Sequence, residues 1–135
     1  MKKIIPFVFL LTLFGCTSKD PILGTWERHG DELKGMRLKV TQNSSAISAE
    51  LIKLPESGDT TFTLGDTKWR DIKKVDNGKY VFGDLSKYVY SYGSLFQNRY
   101  EDSYLTIVGD NIKTRGFAKA DEIVGTEQIW KRVAE

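Results

Sequence analysis

Hydrophobic and polar residues alternate along most of the chain after residue 21. In the segment 36–41, Met36, Leu38 and Val40 are separated by charged residues, and the segments 47–51 and 128–133 repeat this alternation. A period of two indicates a β-strand with one buried face, whereas a helix would repeat every 3.6 residues. The segment 104–108 is apolar or aromatic at nearly every position, which predicts a strand buried on both faces.

Turn-forming residues separate these segments. Gln42–Ser45, Asp76–Gly78 and Gly109–Asn111 contain the Asn, Asp, Gly and Ser residues that tight turns favour, and Pro55–Asp59 begins a longer loop. The spacing indicates about eight or nine short strands and no helix. The pattern therefore predicts an all-β domain over residues 22–135, an antiparallel up-and-down β-barrel of about eight strands or a sandwich.

The first fifteen residues are arranged like an export signal. Lys2 and Lys3 precede an apolar run of eleven residues from Ile4 to Phe14, which Pro6 interrupts. A transmembrane helix needs about 20 apolar residues, so this run is too short to span a bilayer and fits a secretory signal. We therefore expect residues 1–15 to be removed from the mature protein.

A cysteine follows this run directly. Leu13-Phe14-Gly15-Cys16 resembles the lipobox of bacterial lipoproteins, whose cysteine thiol accepts a diacylglyceryl group. The resemblance implies cleavage before Cys16, attachment of fatty acids such as palmitate, and a short tether over residues 16–21. Because Thr17 follows the cysteine instead of Asp, the resemblance extends to outer-membrane sorting. The expected location is the bacterial cell envelope, at the outer membrane and facing the periplasm.

The charge balance changes when the signal is removed. The whole chain has 20 basic and 18 acidic residues, for a formal net charge of +2. Loss of Lys2 and Lys3 leaves 18 basic residues against the same 18 acidic residues. Nucleic-acid binding depends on a basic surplus, so we expect no nucleic-acid partner.

A Gly-x-Trp motif opens the first predicted strand. Together with late arginines, Gly24-Thr25-Trp26 resembles the lipocalins and the wider calycin group, and segments 66–84 and 109–133 resemble small, functionally uncharacterised bacterial exported proteins with such barrels. The resemblance implies that Trp26 closes one end of the barrel while an arginine packs across its ring. Gly24, Trp26, Arg115 and Arg132 are the closure candidates, and the sequence does not choose between the two arginines.

Aromatic residues are the candidates for lining a cavity. A barrel of about eight strands either holds one small ligand or is filled by its own side chains. A second aromatic group, Tyr88, Tyr90 and Tyr92, shares one strand face and fits a binding surface or ordinary cross-strand packing. The candidate ligand-binding residues are Trp26, Trp69, Tyr80, Phe82, Phe117 and Trp130.

Residues suited to catalysis are sparse. A single Cys and a single His exclude an intrachain disulfide and any Cys-rich or multi-His metal site. His29, Asp31 and Glu32 lie in a polar turn with no Ser or Cys nucleophile beside them. We therefore expect a protein that is not an enzyme and that holds no metal and no cofactor.

Two functions fit this sequence. The first is a lipid-anchored barrel that binds a small apolar or amphipathic ligand. The alternative is an interaction module or inhibitor with a packed interior, which contacts an envelope protein and whose aromatic segment from Tyr88 to Tyr104 faces outward. The barrel interior separates the two, because a void of several hundred Å³ favours ligand binding and complete filling favours the interaction module.

Overall fold

The chain forms one closed β-barrel. A computed structural model describes residues 19–58, 61–89, 96–119 and 122–134; the side chains of residues 87–89, 96–98, 117–119 and 122–126 lie outside that description. Each strand pairs antiparallel with the next one, and the last pairs with the first. This confirms the predicted all-β, up-and-down barrel of eight strands and excludes the sandwich. The strands are β1 (Gly24–His29), β2 (Arg37–Asn43), β3 (Ala46–Lys53), β4 (Thr67–Asp76), β5 (Lys79–Val89), β6 (Phe96–Val108), β7 (Asn111–Lys119) and β8 (Glu122–Val133).

The two ends of the barrel differ. At one end, which we call the closed end, β1 begins, β8 ends, and tight turns join β2 to β3, β4 to β5, and β6 to β7. Residues 20–23 also lie at this end, where Ile22 is fully buried. At the other end, which we call the loop end, the longer segments 30–36 and 54–66 connect β1 to β2 and β3 to β4. The three tight turns that the sequence predicts therefore lie at the closed end, and the longer loop that begins at Pro55 lies at the loop end.

The predicted alternation of apolar residues produces the core. Met36, Leu38 and Val40 are at most 2% exposed, while Lys39 between them is exposed. Burial of one such side chain stabilises a fold by about 1.5–3 kcal/mol. The core cluster comprises Ile22, Trp26, Met36, Leu38, Val40, Ala49, Leu51, Trp69, Ile72, Tyr80, Phe82, Leu105, Ile112 and Trp130.

Two strands depart from the simple alternation. The prediction that 104–108 is buried on both faces is wrong: Leu105 is fully buried, but Val108 is 71% exposed. A single closed barrel has one inner face, so the other face of each strand meets solvent. In β4, the consecutive residues Lys68 and Trp69 are both buried, and a register shift follows where Asp71 has a positive φ of 52°. This local irregularity has the character of a β-bulge.

Candidate functional site

Trp26 closes the barrel at the closed end. Its side chain is fully buried, and its indole Nε1 donates a 2.8 Å hydrogen bond to the carbonyl of Ile22. The guanidinium carbon of Arg132 lies 4.3 Å from the centre of the Trp26 ring, within the range of a cation–π contact. Of the two candidate arginines, Arg132 is therefore the one that stacks on Trp26.

Arg132 also holds the N-terminal segment in place. Its Nη1 and Nη2 donate to the carbonyls of Leu23 and Pro21 at 2.9 and 2.6 Å, and its Nε donates to Asp110 at 3.1 Å. Gly24 leaves the room that this arrangement needs, because a Cβ there would lie 2.9 Å from Arg132 Nη1. The φ of Gly24 is +125°, a conformation that other residues rarely adopt.

Arg115 lies elsewhere. Its Nη2 is 3.6 Å from an oxygen of Glu127, and its side chain is 43% exposed. Among the described residues it makes no contact with Trp26. Arg115 therefore lies on the outer face of the barrel, because β7 buries Ile112 and Thr114 on its other face.

Tyr80 ties the start of the described chain to the barrel. Its ring is fully buried, and its hydroxyl donates a short hydrogen bond to the carboxylate of Asp20. Burial, reinforced by the Asp20 carboxylate, raises the pKa of Tyr80 well above its ordinary value. The hydroxyl therefore stays protonated at neutral pH and acts as a fixed donor to the segment before β1.

Three of the candidate ligand-binding residues pack on one another inside the barrel. The ring of Trp69 lies 5.0 Å from that of Phe82 and 5.1 Å from that of Trp130, the second pair edge to face at 75°. Trp69 and Trp130 are fully buried, and Phe82 is 4% exposed. Such contacts are those of a filled aromatic core, because they leave almost no ring surface for another molecule.

Two buried indole N–H groups, those of Trp69 and Trp130, have no hydrogen-bond acceptor among the described residues. A buried donor without an acceptor costs about 1–3 kcal/mol. Trp26 differs, since its own Nε1 is satisfied by Ile22.

A polar network lies next to the aromatic cluster on the side of the loop end. Arg28 is 5% exposed, its guanidinium lies 5.2 Å from the Trp130 ring, and it pairs with Asp31 at 2.6 Å. Its Nη1 donates to Gln128 Oε1 at 2.9 Å, and the hydroxyl of Thr114 donates to the same oxygen at 3.0 Å. This network was not predicted from the sequence, although Arg28 shares the strand face of Trp26, and Gln128 shares that of Trp130.

A second buried ion pair joins β4 to β5. Lys68 Nζ donates to Asp84 Oδ1 at 2.5 Å and to the carbonyl of Leu85 at 2.7 Å, and it faces the Phe62 ring at 4.8 Å. Burial raises the pKa of the Asp84 carboxyl above its ordinary value, while the Lys68 ammonium opposes that rise. Each charge is thus compensated locally, and neither is free to receive a substrate.

Some of the sequence predictions fall outside the described part of the chain. Cys16 precedes residue 19, and Tyr90 and Tyr92 lie between 89 and 96. Phe117 and Tyr88 are placed in β7 and β5, but their side chains are not described. In the segment from Tyr88 to Tyr104, the side chains are described only for residues 99–104, and not for Tyr88, Tyr90 or Tyr92, so its outward orientation stays a prediction. The acylation of Cys16 stays a prediction as well.

An open cleft of about 560 Å³ lies at the closed end. It is bounded by the start of β1, the end of β2 and the end of β8, with Leu23, Val40, Gln42 and Arg132 in its walls and Lys19 at its margin. None of the six candidate ligand-binding residues lines it. The cleft thus lies beside residues 19–25 and the ends of β2 and β8.

His29, the single histidine of the chain, lies at the surface beside Glu27. His29 Nε2 is 3.3 Å from Glu27, and the imidazole is 41% exposed. No group of three His, Cys, Asp or Glu side chains in the described ranges converges as a metal site requires. No helix formed by these residues is long and apolar enough to cross a membrane.

Comparison of the chain with models of protein families, with curated proteins and with solved structures finds no match.

Proposed function

We propose that this protein is a lipid-anchored, non-enzymatic module of the bacterial envelope, and that it binds another envelope protein through the loop end of a filled barrel. The observation that carries the proposal is the burial of five of the six candidate ligand-binding residues, those whose side chains the structure describes. Trp26, Trp69, Tyr80 and Trp130 are fully buried and Phe82 is 4% exposed, in contact with one another or with the core. A small barrel filled by its own side chains acts through its surface.

The loop end is the surface best suited to a partner. It carries the longer connections, and binding residues concentrate on loops that a rigid scaffold positions. Ile52 and Leu64 are 43% and 56% exposed there. They lie on neighbouring segments, since Gly65 donates a 2.9 Å backbone hydrogen bond to Leu51. The expected partner surface is an apolar patch that covers these two side chains.

The lipid anchor gives this end its orientation. The resemblance of residues 13–16 to a lipobox supports acylation at Cys16, and the chain enters the barrel at the closed end. An anchor there directs the loop end away from the membrane, toward the periplasm if sorting follows Thr17. The lipocalin-like resemblance of Gly24, Trp26 and Arg132 fits this arrangement, because the N-terminal segment and the stacked arginine lie at the same end.

Site-specific photo-crosslinking in living cells tests the proposal. A photoreactive residue at Leu64 or Ile52 should capture one dominant protein, and the same probe at Lys39, which is exposed on the barrel wall, should not. Products that are identical at all three positions, or the absence of any discrete product, would contradict a partner site at the loop end.

A second candidate function is the binding of an amphipathic molecule that carries a hydrogen-bond acceptor. The observation that favours it is the pair of unpartnered indole N–H groups of Trp69 and Trp130 within the described chain. A ligand that displaced part of the aromatic packing could accept from both. Replacing each indole by Phe should then weaken binding, whereas Trp26→Phe, whose N–H is already satisfied by Ile22, should affect the binding less.

A further inference from the structure

Two exposed valines lie near the closed end, on the strands to either side of β5. Val75 is 61% exposed near the end of β4, and Val108 is 71% exposed at the last position of β6. The start of β5 joins these strand ends, because Lys79 pairs with Asp76 of β4 and with Thr106 of β6. These are the two most exposed large apolar side chains of the described chain.

Three exposed lysines lie on the same hairpin as Val75. Lys73, Lys74 and Lys79 are exposed on the β4–β5 hairpin, and within the described ranges they have no carboxylate within ion-pair distance. Of the nearby acidic groups, Asp110 is paired with Arg132, whereas the exposed Asp76 accepts only from the amide of Asn77 and keeps its charge. The closed end therefore combines exposed apolar side chains with three lysines against one unpaired carboxylate, a local surplus of positive charge.

The predicted tether, residues 16–21, meets the barrel beside the same hairpin. The Tyr80 hydroxyl, one residue after Lys79, holds the carboxylate of Asp20. Asp20 is four positions after Cys16 along the chain, and four extended steps span at most about 14 Å. A lipid attached to Cys16 would thus keep the hairpin within a short distance of the membrane surface.

We propose that the closed end is a membrane-contact face: Val75 and Val108 enter the headgroup boundary of the bilayer, and Lys73, Lys74 and Lys79 bind the phosphates of anionic lipids. The inference rests on the proposed acylation of Cys16. Apolar side chains flanked by lysines form the pattern by which proteins rest on anionic membranes, and a lipid anchor strengthens such weak contacts. The contact would fix the orientation of the barrel instead of leaving it to swing on its tether.

Fluorescence in vesicles tests the contact. The acylated protein would carry an environment-sensitive dye at Val75→Cys or Val108→Cys, with Leu64→Cys at the loop end as the matched control. In vesicles of phosphatidylcholine and phosphatidylglycerol, the dyes at 75 and 108 should shift to the blue. A headgroup-attached spin label should quench both several-fold more than the dye at 64. Equal quenching at all three positions would overturn the proposal.

Charge reversal separates the lysines from the anchor. Lys73→Glu together with Lys74→Glu should reduce quenching at Val108 several-fold on anionic vesicles, while Lys34→Glu with Lys53→Glu, an equal change of charge at the loop end, should leave it unchanged. Equal effects of the two pairs would contradict a specific basic face. Vesicle flotation identifies the source of a failure: protein that does not float refutes the anchor and this inference together, whereas protein that floats with an unquenched closed end refutes this inference alone.

Discussion

Arg132 links three parts of the molecule through one side chain. It stacks on Trp26, donates to the carbonyls of Pro21 and Leu23, and contacts Asp110 in the β6–β7 turn. Its guanidinium has the planar, multiple-donor geometry that this role needs, and a lysine could not reproduce it. The closed end therefore depends on a residue close to the C-terminal end of β8.

The first prediction concerns this closure. Arg132→Ala should lower the free energy of unfolding by about 1–3 kcal/mol, because hydrogen bonds and a ring contact are lost. Arg115→Ala should cost less than about 0.5 kcal/mol, since its ion pair with Glu127 is exposed. In double-mutant cycles measured by urea unfolding, Trp26→Leu should couple with Arg132→Ala by more than about 0.5 kcal/mol and not with Arg115→Ala. Coupling to both or to neither would contradict the geometry.

The second prediction concerns Glu27 and pH. The hydrogen bond from Arg37 at 2.7 Å lowers the pKa of Glu27 below its ordinary value of 4.5, and the nearby His29 acts in the same direction. A lowered pKa in the folded state stabilises the fold above pH 4.5, and this contribution disappears as the pH falls through the lowered pKa. Glu27→Gln should therefore be less stable than the wild type by about 0.5–1 kcal/mol at pH 7 and equal to it in strong acid. A difference that does not vary with pH in urea unfolding would refute this assignment.

At the scale of the elements, the two glycine-containing turns at the closed end form a natural comparison. Gly78 and Gly109 have similar positive φ values of 66° and 60°. A Cβ at Gly78 would lie 2.8 Å from the backbone oxygen of Ile107, whereas a Cβ at Gly109 would meet nothing within 4 Å. Both glycines therefore have a similarly strained backbone, and they differ in that only Gly78 approaches the neighbouring strand β6 closely.

The third prediction follows from that comparison. Gly109→Ala should destabilise the barrel by about 1 kcal/mol, which is the usual cost of a left-handed conformation for a residue with a Cβ. Gly78→Ala should cost about 1–3 kcal/mol more, because its methyl group must displace the backbone of Ile107 in the adjacent strand β6. Thermal or urea unfolding measures both values. If the two variants were equally stable, the close approach of Gly78 to β6 would be refuted.

The sequence predicts most of the strands because each strand buries one face. The alternation of apolar and polar residues around Leu38, Leu51 and Trp130 identifies the inner face of each strand without any information on the strands beside it. Short turn motifs likewise identify the connections at the closed end. The buried pair of Lys68 and Asp84 could not be predicted in this way, since a register irregularity near Asp71 breaks the alternation in β4. Pairing of charges across strands depends on register, which the pattern of one strand does not contain.

At the scale of the whole molecule, the described interior changes character from one end to the other. Trp26, Ile22 and Tyr80 make the closed end apolar, whereas Arg28 and Lys68 bring buried charge toward the loop end. Both of these charges have a partner, Asp31 for Arg28 and Asp84 for Lys68, so the buried charge of the described interior is compensated. We infer a barrel that acts as a scaffold, with its closed end toward the membrane and its loops toward a partner.

Native mass spectrometry tests the central claim, the filled interior, most directly. A soluble form with Cys16→Ala behind an ordinary export signal would be purified from its own host without detergent, so that no anchor lipid obscures the mass. We expect the mass of the polypeptide alone, and no displacement when an apolar dye is added. A stoichiometric adduct of a small molecule, weakened when Trp69 or Trp130 is replaced by Phe, would contradict the filled barrel and establish ligand binding in its place.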